Sequence, residues 1–193
     1  MVTTPSGGSD NVHFAQFDVT DQVFLRTEHV VGIVNLKPIV PFHVLLIPPS
    51  PSITRLSLLP TASLAPFFRA VQLVTSRLEE VTGASSSNVA IQDGKEAGQS
   101  VAHLHVHVLP RKRGDEYAGS DEIYDRLESF GFNLSALQTK HAAAAAALDS
   151  HSTSQTRSIK PDADEDRRPR SREEMKAEAD WLRKVFKDVD FRL

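Results

Sequence analysis

The stretch "AHLHVHVLP", residues 102–110, constrains this chain more than any other, because His103, His105 and His107 alternate with Leu104, Val106 and Val108. A period of two belongs to a β-strand, where residues i, i+2 and i+4 share one face. The pattern predicts a strand over 102–110, with three imidazoles on one side and an apolar row entering a core on the other. Such a strand needs partners. Segments of strand character lie at 22–27 ("QVFLRT"), 29–35 ("HVVGIVN"), 42–48 ("FHVLLIP") and 87–93 ("SNVAIQD"). They are rich in Val, Ile and Leu and are bounded by Pro or polar turns. Between 61 and 82 the period changes. Leu64, Phe67, Phe68, Val71, Val74, Leu78 and Val81 recur every three or four residues, which predicts an amphipathic helix. Thr61 or Ser63 is the expected cap, Pro66 fits only a first turn, and Gly83 is the stop. A second helix is expected from Ser171, which forms a capping box with Glu174 and precedes the stripe Met175, Ala179, Leu182 and Phe186. Phe67, Phe68 and Trp181 are read as core. The fold class is therefore α+β: a five-stranded antiparallel sheet with two helices.

The 193 residues suffice for one domain. Residues 1–12, rich in Thr, Ser, Gly and Pro, read as a disordered leader, and 13–129 as the domain. Residues 130–170, with six consecutive alanines and then Ser/Thr and mixed charge, read as a low-complexity, mostly disordered insertion. Residues 171–193 are the helix that returns to the domain. A net charge of −3 supplies no basic field for nucleic acid. With no cysteine there is no disulfide, thiol nucleophile or thiolate-bound zinc. The start carries no secretory pattern and no apolar run is long enough for a membrane span. The expectation is a cytoplasmic or nuclear protein without nucleic-acid or membrane partners.

In an extended strand, neighbouring histidines of the triad lie about 6.5–7 Å apart at Cα and the outer two about 13 Å apart. Three ligands so spread converge poorly on a tetrahedral metal with bonds near 2 Å, so no protein-bound metal is expected. The bland reading is a solvated strand face rich in histidine. A row of imidazoles also suits an extended polyanion, since a neutral ring offers a lone pair and an N–H donates to phosphate oxygens. The middle histidine is then a candidate nucleophile toward phosphorus, with its second nitrogen held by an acceptor. The preceding loop "DGKEAGQS" contributes Gly94 and Gly98 for close backbone approach to an anion, and Gln99 and Ser100 as donors.

The run "IQDGKEAGQSVAHLHVHVLPRKRGD", with "VNLKPIVPFHVLLIP" upstream and "DEIYDRLE" downstream, resembles the fragile histidine triad branch of the histidine triad superfamily. The resemblance implies an antiparallel sheet with two helices, paired into a homodimer. It also implies a hydrolase that cleaves diadenosine triphosphate to AMP and ADP through an adenylylated histidine, with a divalent cation (Mg or Mn) carried on the substrate. By the same resemblance His105 is the nucleophile, flanked by His103, whose carbonyl orients it, and His107, which contacts phosphate. His43 supports the triad from a neighbouring strand, Asn35 holds the ribose, and Gln92 lies near the nucleotide. Gly98, Gln99, Ser100 and Val101 form the phosphate loop. Three positions depart from the branch: Phe17 where a histidine is usual, Phe42 where a glycine precedes His43, and Ala102 where a lysine precedes the triad. The rival readings are a nucleotide-binding signalling module with slow turnover, and a phosphoramidase or nucleotidyl transferase of the same superfamily.

Overall fold

The computed structural model describes residues 11–127 and 169–191. A small hairpin, β1 (His13–Phe14) and β2 (Phe17–Asp18), precedes five strands: β3 (Val23–Arg26), β4 (Val31–Val34), β5 (Val44–Ile47), β6 (Ser86–Ala90) and β7 (Val106–Arg111). The five form one sheet in the order β3-β4-β5-β7-β6, antiparallel throughout. β4 and β5 are buried at every position, because the sheet is covered on both faces. On one face Val34, Val44, Leu46, Val106 and Val108 meet the central helix, Thr61–Thr82, and the C-terminal helix, Arg172–Val185. Each fully buried Leu or Phe in this layer, such as Leu46 or Phe67, contributes about 1.5–3 kcal/mol. On the other face Ile33, Leu45 and Ile47 lie under the hairpin with Val12 and Phe14. Leu109 is covered there by Tyr117, Ile123 and Leu127.

The α+β architecture matches the expectation, and the central helix has the predicted bounds with Gly83 as its left-handed C-cap, φ 69°. Its start differs: Pro60 is the N-cap and no side chain caps the helix, so neither Thr61 nor Ser63 serves. Ser63 Oγ lies instead 3.3 Å from His29 Nδ1. Pro66 is also deeper than a first turn, and the helix runs through it. Leu64 and Phe68 are 38% and 40% exposed. Being one turn apart, they share a side that the sheet does not cover. Trp181, read as core, is 39% exposed and stacks on Phe42 alone among the aromatic rings described. The capping box of the C-terminal helix is present as predicted: Glu174 N–H donates to Ser171 Oγ at 3.2 Å, and Ser171 N–H to Glu174 Oε2 at 2.6 Å. Met175, Ala179, Leu182 and Phe186 are all buried.

The strand boundaries carry the main correction. β7 begins at Val106, so His103 and His105 precede it and only His107 lies in the ladder. The partner strand β5 ends at Ile47 because Pro48 and Pro49 have no N–H to extend the pairing. His103 sits in a bend instead. β5 also starts later than predicted, since Phe42 adopts φ 62° and cannot continue a strand. β6 stops at Ala90, leaving Gln92 in the following loop. Of the expected leader and insertion, residues 1–10 and 130–168 lie outside the described residues, as do 128–129 of the expected domain. Val12 is already part of the fold, donating to Thr20 Oγ1 at 3.0 Å. Arg170, placed in the insertion, is anchored to the domain.

Candidate active site

The histidines are brought together from two neighbouring strands and the segments that lead into them. His107 lies in β7 opposite Leu45 of β5, His105 just before it, and His43 just before β5. Ring centroids of His105 and His107 are 5.0 Å apart, and those of His43 and His107 are 5.2 Å apart. All four, with His103, are buried.

Main-chain donors and acceptors set the tautomers. Ile39 N–H donates to His43 Nδ1 at 3.2 Å, so His43 carries its proton on Nε2 and donates it to His107 Nδ1 at 2.9 Å. His107 then keeps its own proton on Nε2, as a donor. The backbone carbonyl of His103 accepts from His105 Nδ1 at 2.7 Å, which leaves a lone pair on His105 Nε2. That nitrogen is buried and has no hydrogen-bond partner. Ala15 N–H donates to His103 Nδ1 at 3.2 Å, and His103 Nε2 donates to Pro48 O at 2.9 Å. The His103 ring is thus consumed by the scaffold; its carbonyl faces the nucleophile.

Burial keeps these rings neutral. It lowers His103 to about 4, with the bond to Pro48 opposing and His105 adding slightly. It also depresses His105, against the bond to the His103 carbonyl. His107 falls well below its ordinary value, from burial first and then from His105 and His43. A neutral imidazole with an unpartnered lone pair beside one that carries its proton on Nε2 is a nucleophile paired with a phosphate-oxygen donor.

The expected substrate residues divide. Ser100 Oγ and Gln92 Oε1 are buried polar atoms without partners, as a site built for a polar ligand would hold them. Gln92 Nε2 donates to Leu127 O at 2.9 Å. Gln99 is spent on the loop: its Oε1 accepts from Gly94 N–H at 2.9 Å, and its Nε2 donates to Thr54 O at 2.8 Å and to His103 O at 3.4 Å. Gly98 has φ 82° and Gly94 φ 108°. A Cβ at Gly94 would lie 2.8 Å from the Arg55 guanidinium, which is paired with Asp93. Val101 is a wall of the hairpin core. Asn35 is buried, its Nδ2 lies 3.2–3.3 Å from the His43 nitrogens, and its Oδ1 accepts from Lys37 N–H at 3.1 Å. The amide therefore serves His43.

Two participants carried no sequence signal. The hairpin turn at Ala15 and Gln16 lacks the Gly or Asn that marks such turns. Yet it places Phe14 edge-on to His105 at 5.2 Å and presents the Ala15 N–H to His103. Ala15 (φ 52°) and Phe42 (φ 62°) are the non-glycine residues with positive φ among the described ones, and both border the histidines. Phe42, one of the three departures, holds this glycine-favouring conformation with its ring 5.1 Å from Trp181. Phe17 lies in β2 and Ala102 in the bend before His103. Among the described residues no helix is long and apolar enough to cross a membrane, and no group of three His, Cys, Asp or Glu is placed to hold a metal.

A model of the HIT domain matches residues 16–114. The chain is 42% identical over 177 residues to the Bis(5'-nucleosyl)-tetraphosphatase (asymmetrical) of Schizosaccharomyces pombe, covering 92% of this chain and 95% of that protein. It is 43% identical over 122 residues to the Bis(5'-adenosyl)-triphosphatase of Saccharomyces cerevisiae, covering 63% of this chain and 58% of that one. The crystal structure of the Caenorhabditis elegans NitFhit protein superposes with a TM-score of 0.62 at 28% identity, over 93% of this chain and 31% of that one. The four buried histidines, the sheet that carries them and these likenesses agree: the chain belongs to the HIT-domain family.

Proposed function

We propose that this protein is an enzyme that hydrolyses dinucleoside polyphosphates, with diadenosine triphosphate giving AMP and ADP. The observation that carries the reading is the buried, unpartnered lone pair of His105 Nε2, held by the 2.7 Å bond from Nδ1 to the His103 carbonyl. In the first step that lone pair attacks the α-phosphorus. An N–P bond forms, the P–O bond to the bridging oxygen breaks, and the nucleoside diphosphate leaves as an anion. Its stability removes the need for a strong general acid. In the second step water attacks the same phosphorus, the N–P bond breaks, AMP leaves and one water proton passes to solvent. The His107 Nε2–H stabilises charge on the non-bridging oxygens in both steps. Ser100 Oγ and Gln92 Oε1 offer further contacts to substrate, as do the Gly98–Val101 backbone groups.

The cation belongs to the polyphosphate, as Mg or Mn. The homodimer pairs the sheets of two copies, and light scattering in solution tests it. Location in cytoplasm or nucleus is read by imaging a tagged chain. The two yeast relatives bear tetraphosphatase and triphosphatase names, so both substrates belong in the assay. Incubation with Mg²⁺ and diadenosine triphosphate should yield equimolar AMP and ADP; with the tetraphosphate, AMP and ATP. No turnover of either with a divalent ion present refutes the reading.

A further inference from the structure

The loop from Asn35 to His43 delivers every group of the His43–His107 relay except His107 itself. Asn35 Nδ2 and Ile39 N–H face His43, and His43 Nε2–H reaches His107. Both ends of this loop are held by a segment more than 120 residues further along the chain. At one end Arg170 donates through Nε and Nη2 to the Asn35 carbonyl, at 3.0 and 2.5 Å, and its own N–H donates to the Leu36 carbonyl at 3.0 Å. Glu178, one face of the C-terminal helix away, pairs with Arg170 Nη1 at 2.5 Å, so the guanidinium is neutralised and fixed in direction. At the other end the Trp181 ring rests on Phe42, which adopts a backbone conformation that side chains rarely hold unsupported. The fork is the relevant chemistry. A planar guanidinium with two donors on one carbonyl sets the peptide's orientation as well as its position, and a lysine ammonium sets only position.

We infer that Arg170, seconded by Trp181, is a positioning residue of the catalytic site, holding the Asn35–His43 loop so that His107 presents its Nε2–H to the substrate. Arg170 touches no reacting atom and acts through Asn35 and His43. The inference rests on the proposed function for its effect on turnover, but its structural content stands apart from it. With the loop free to tilt, the Ile39 N–H no longer holds His43 in one tautomer, and His107 then populates both of its own.

The test uses the full chain labelled with ¹⁵N. In the native protein the His107 ring should read as one species, protonated at Nε2 and unprotonated at Nδ1. In Arg170→Met a second His107 tautomer should appear, while His105 remains a single species held by the His103 carbonyl. The kcat for diadenosine triphosphate should fall about tenfold with KM within about twofold, the pattern of misplacement remote from the reacting atoms. Arg170→Lys, keeping the charge and the ability to donate but not the planar fork, should restore part of both readouts. Should Arg170→Met not fold, Trp181→Leu, at a half-exposed surface position, should show the same tautomer mixture with a smaller loss of kcat, about threefold. A single Nε2–H tautomer of His107 in whichever of these variants fold overturns the inference. A protein without hydrolase activity refutes the proposed function alone, because the ring spectra need no turnover.

Discussion

The two sides of the histidine cluster are supported in different ways. On the nucleophile's side, His105 is oriented by a carbonyl two residues away, and His103 is tied by its ring to Pro48 and to the Ala15 N–H. The bond that orients His105 itself spans two residues, whereas the His103 ring is anchored to atoms 55 and 88 residues away. On the donor's side, His107 depends on His43, His43 on Ile39 and Asn35, and Asn35 on Arg170. The nucleophile needs only a fixed lone pair, which one acceptor provides. The phosphate donor needs its proton on one particular nitrogen, and a chain of donors starting from a main-chain N–H enforces that. The lone pair of the nucleophile is thus aimed by a local bond, and the proton of the donor by a tertiary chain of bonds.

The contrast can be broken most decisively at His105. His105→Ala should reduce hydrolysis by at least about 10³-fold, with nucleotide binding by calorimetry retained, because it removes the attacking lone pair and leaves the surrounding contacts. Turnover surviving in that variant would transfer the nucleophile's role elsewhere. Loss of the relay should be milder. His43→Ala is expected to lower kcat by about 10²-fold with little change in KM, the size of effect seen when one oxyanion donor is lost. A loss equal to that of His105→Ala would show that the relay serves the nucleophile as well.

Acidification probes both sides together. Burial places the folded-state values of His103, His105 and His107 below the ordinary 6.5, so the folded protein binds fewer protons than the unfolded chain. Stability from these rings is complete above pH 6.5 and is lost as pH falls toward about 4, the value for His103. Between pH 7 and pH 5, His103 alone should remove on the order of 2 kcal/mol, read as a lower guanidinium midpoint. A midpoint unchanged over that interval would mean that the rings are charged inside the fold. The smallest effect expected is at the hairpin turn. Ala15→Gly should raise stability by about 0.5–1 kcal/mol, because glycine adopts φ 52° freely and the N–H to His103 is kept.

What could be read along the chain follows the range of the interactions. The Ser171–Glu174 box and the Gly83 stop are decided within four residues, and both are where the sequence places them. The apolar row Leu104, Val106 and Val108 was legible as a core face because its period is a property of the backbone. The extent of the strand was not, since Pro48 and Pro49, more than 50 residues earlier, end the partner's ladder. Phe68 and Trp181 were misread because helical periodicity marks an apolar side without saying how wide a neighbour covers it. The likeness that led to Asn35 and Gln99 places them at the site. Their actual bonds, to His43 and to the loop around Gly94, depend on where other segments arrive.

By itself, then, the sequence determined an α+β sheet with a histidine-bearing strand, the identity of the four histidines, and the glycine loop before them. The sheet, the triad and the loop are matters of period, spacing and backbone freedom, while His43 joins them through the likeness to the fragile histidine triad branch. Only the tertiary structure decided which nitrogen of each ring carries a proton. That choice rests on the Ile39 and Ala15 N–H groups, the His103 and Pro48 carbonyls and the burial of all four rings. A tautomer is set by the partner a nitrogen meets, and for three of these four rings those partners include atoms from segments distant in sequence or from another ring in the relay.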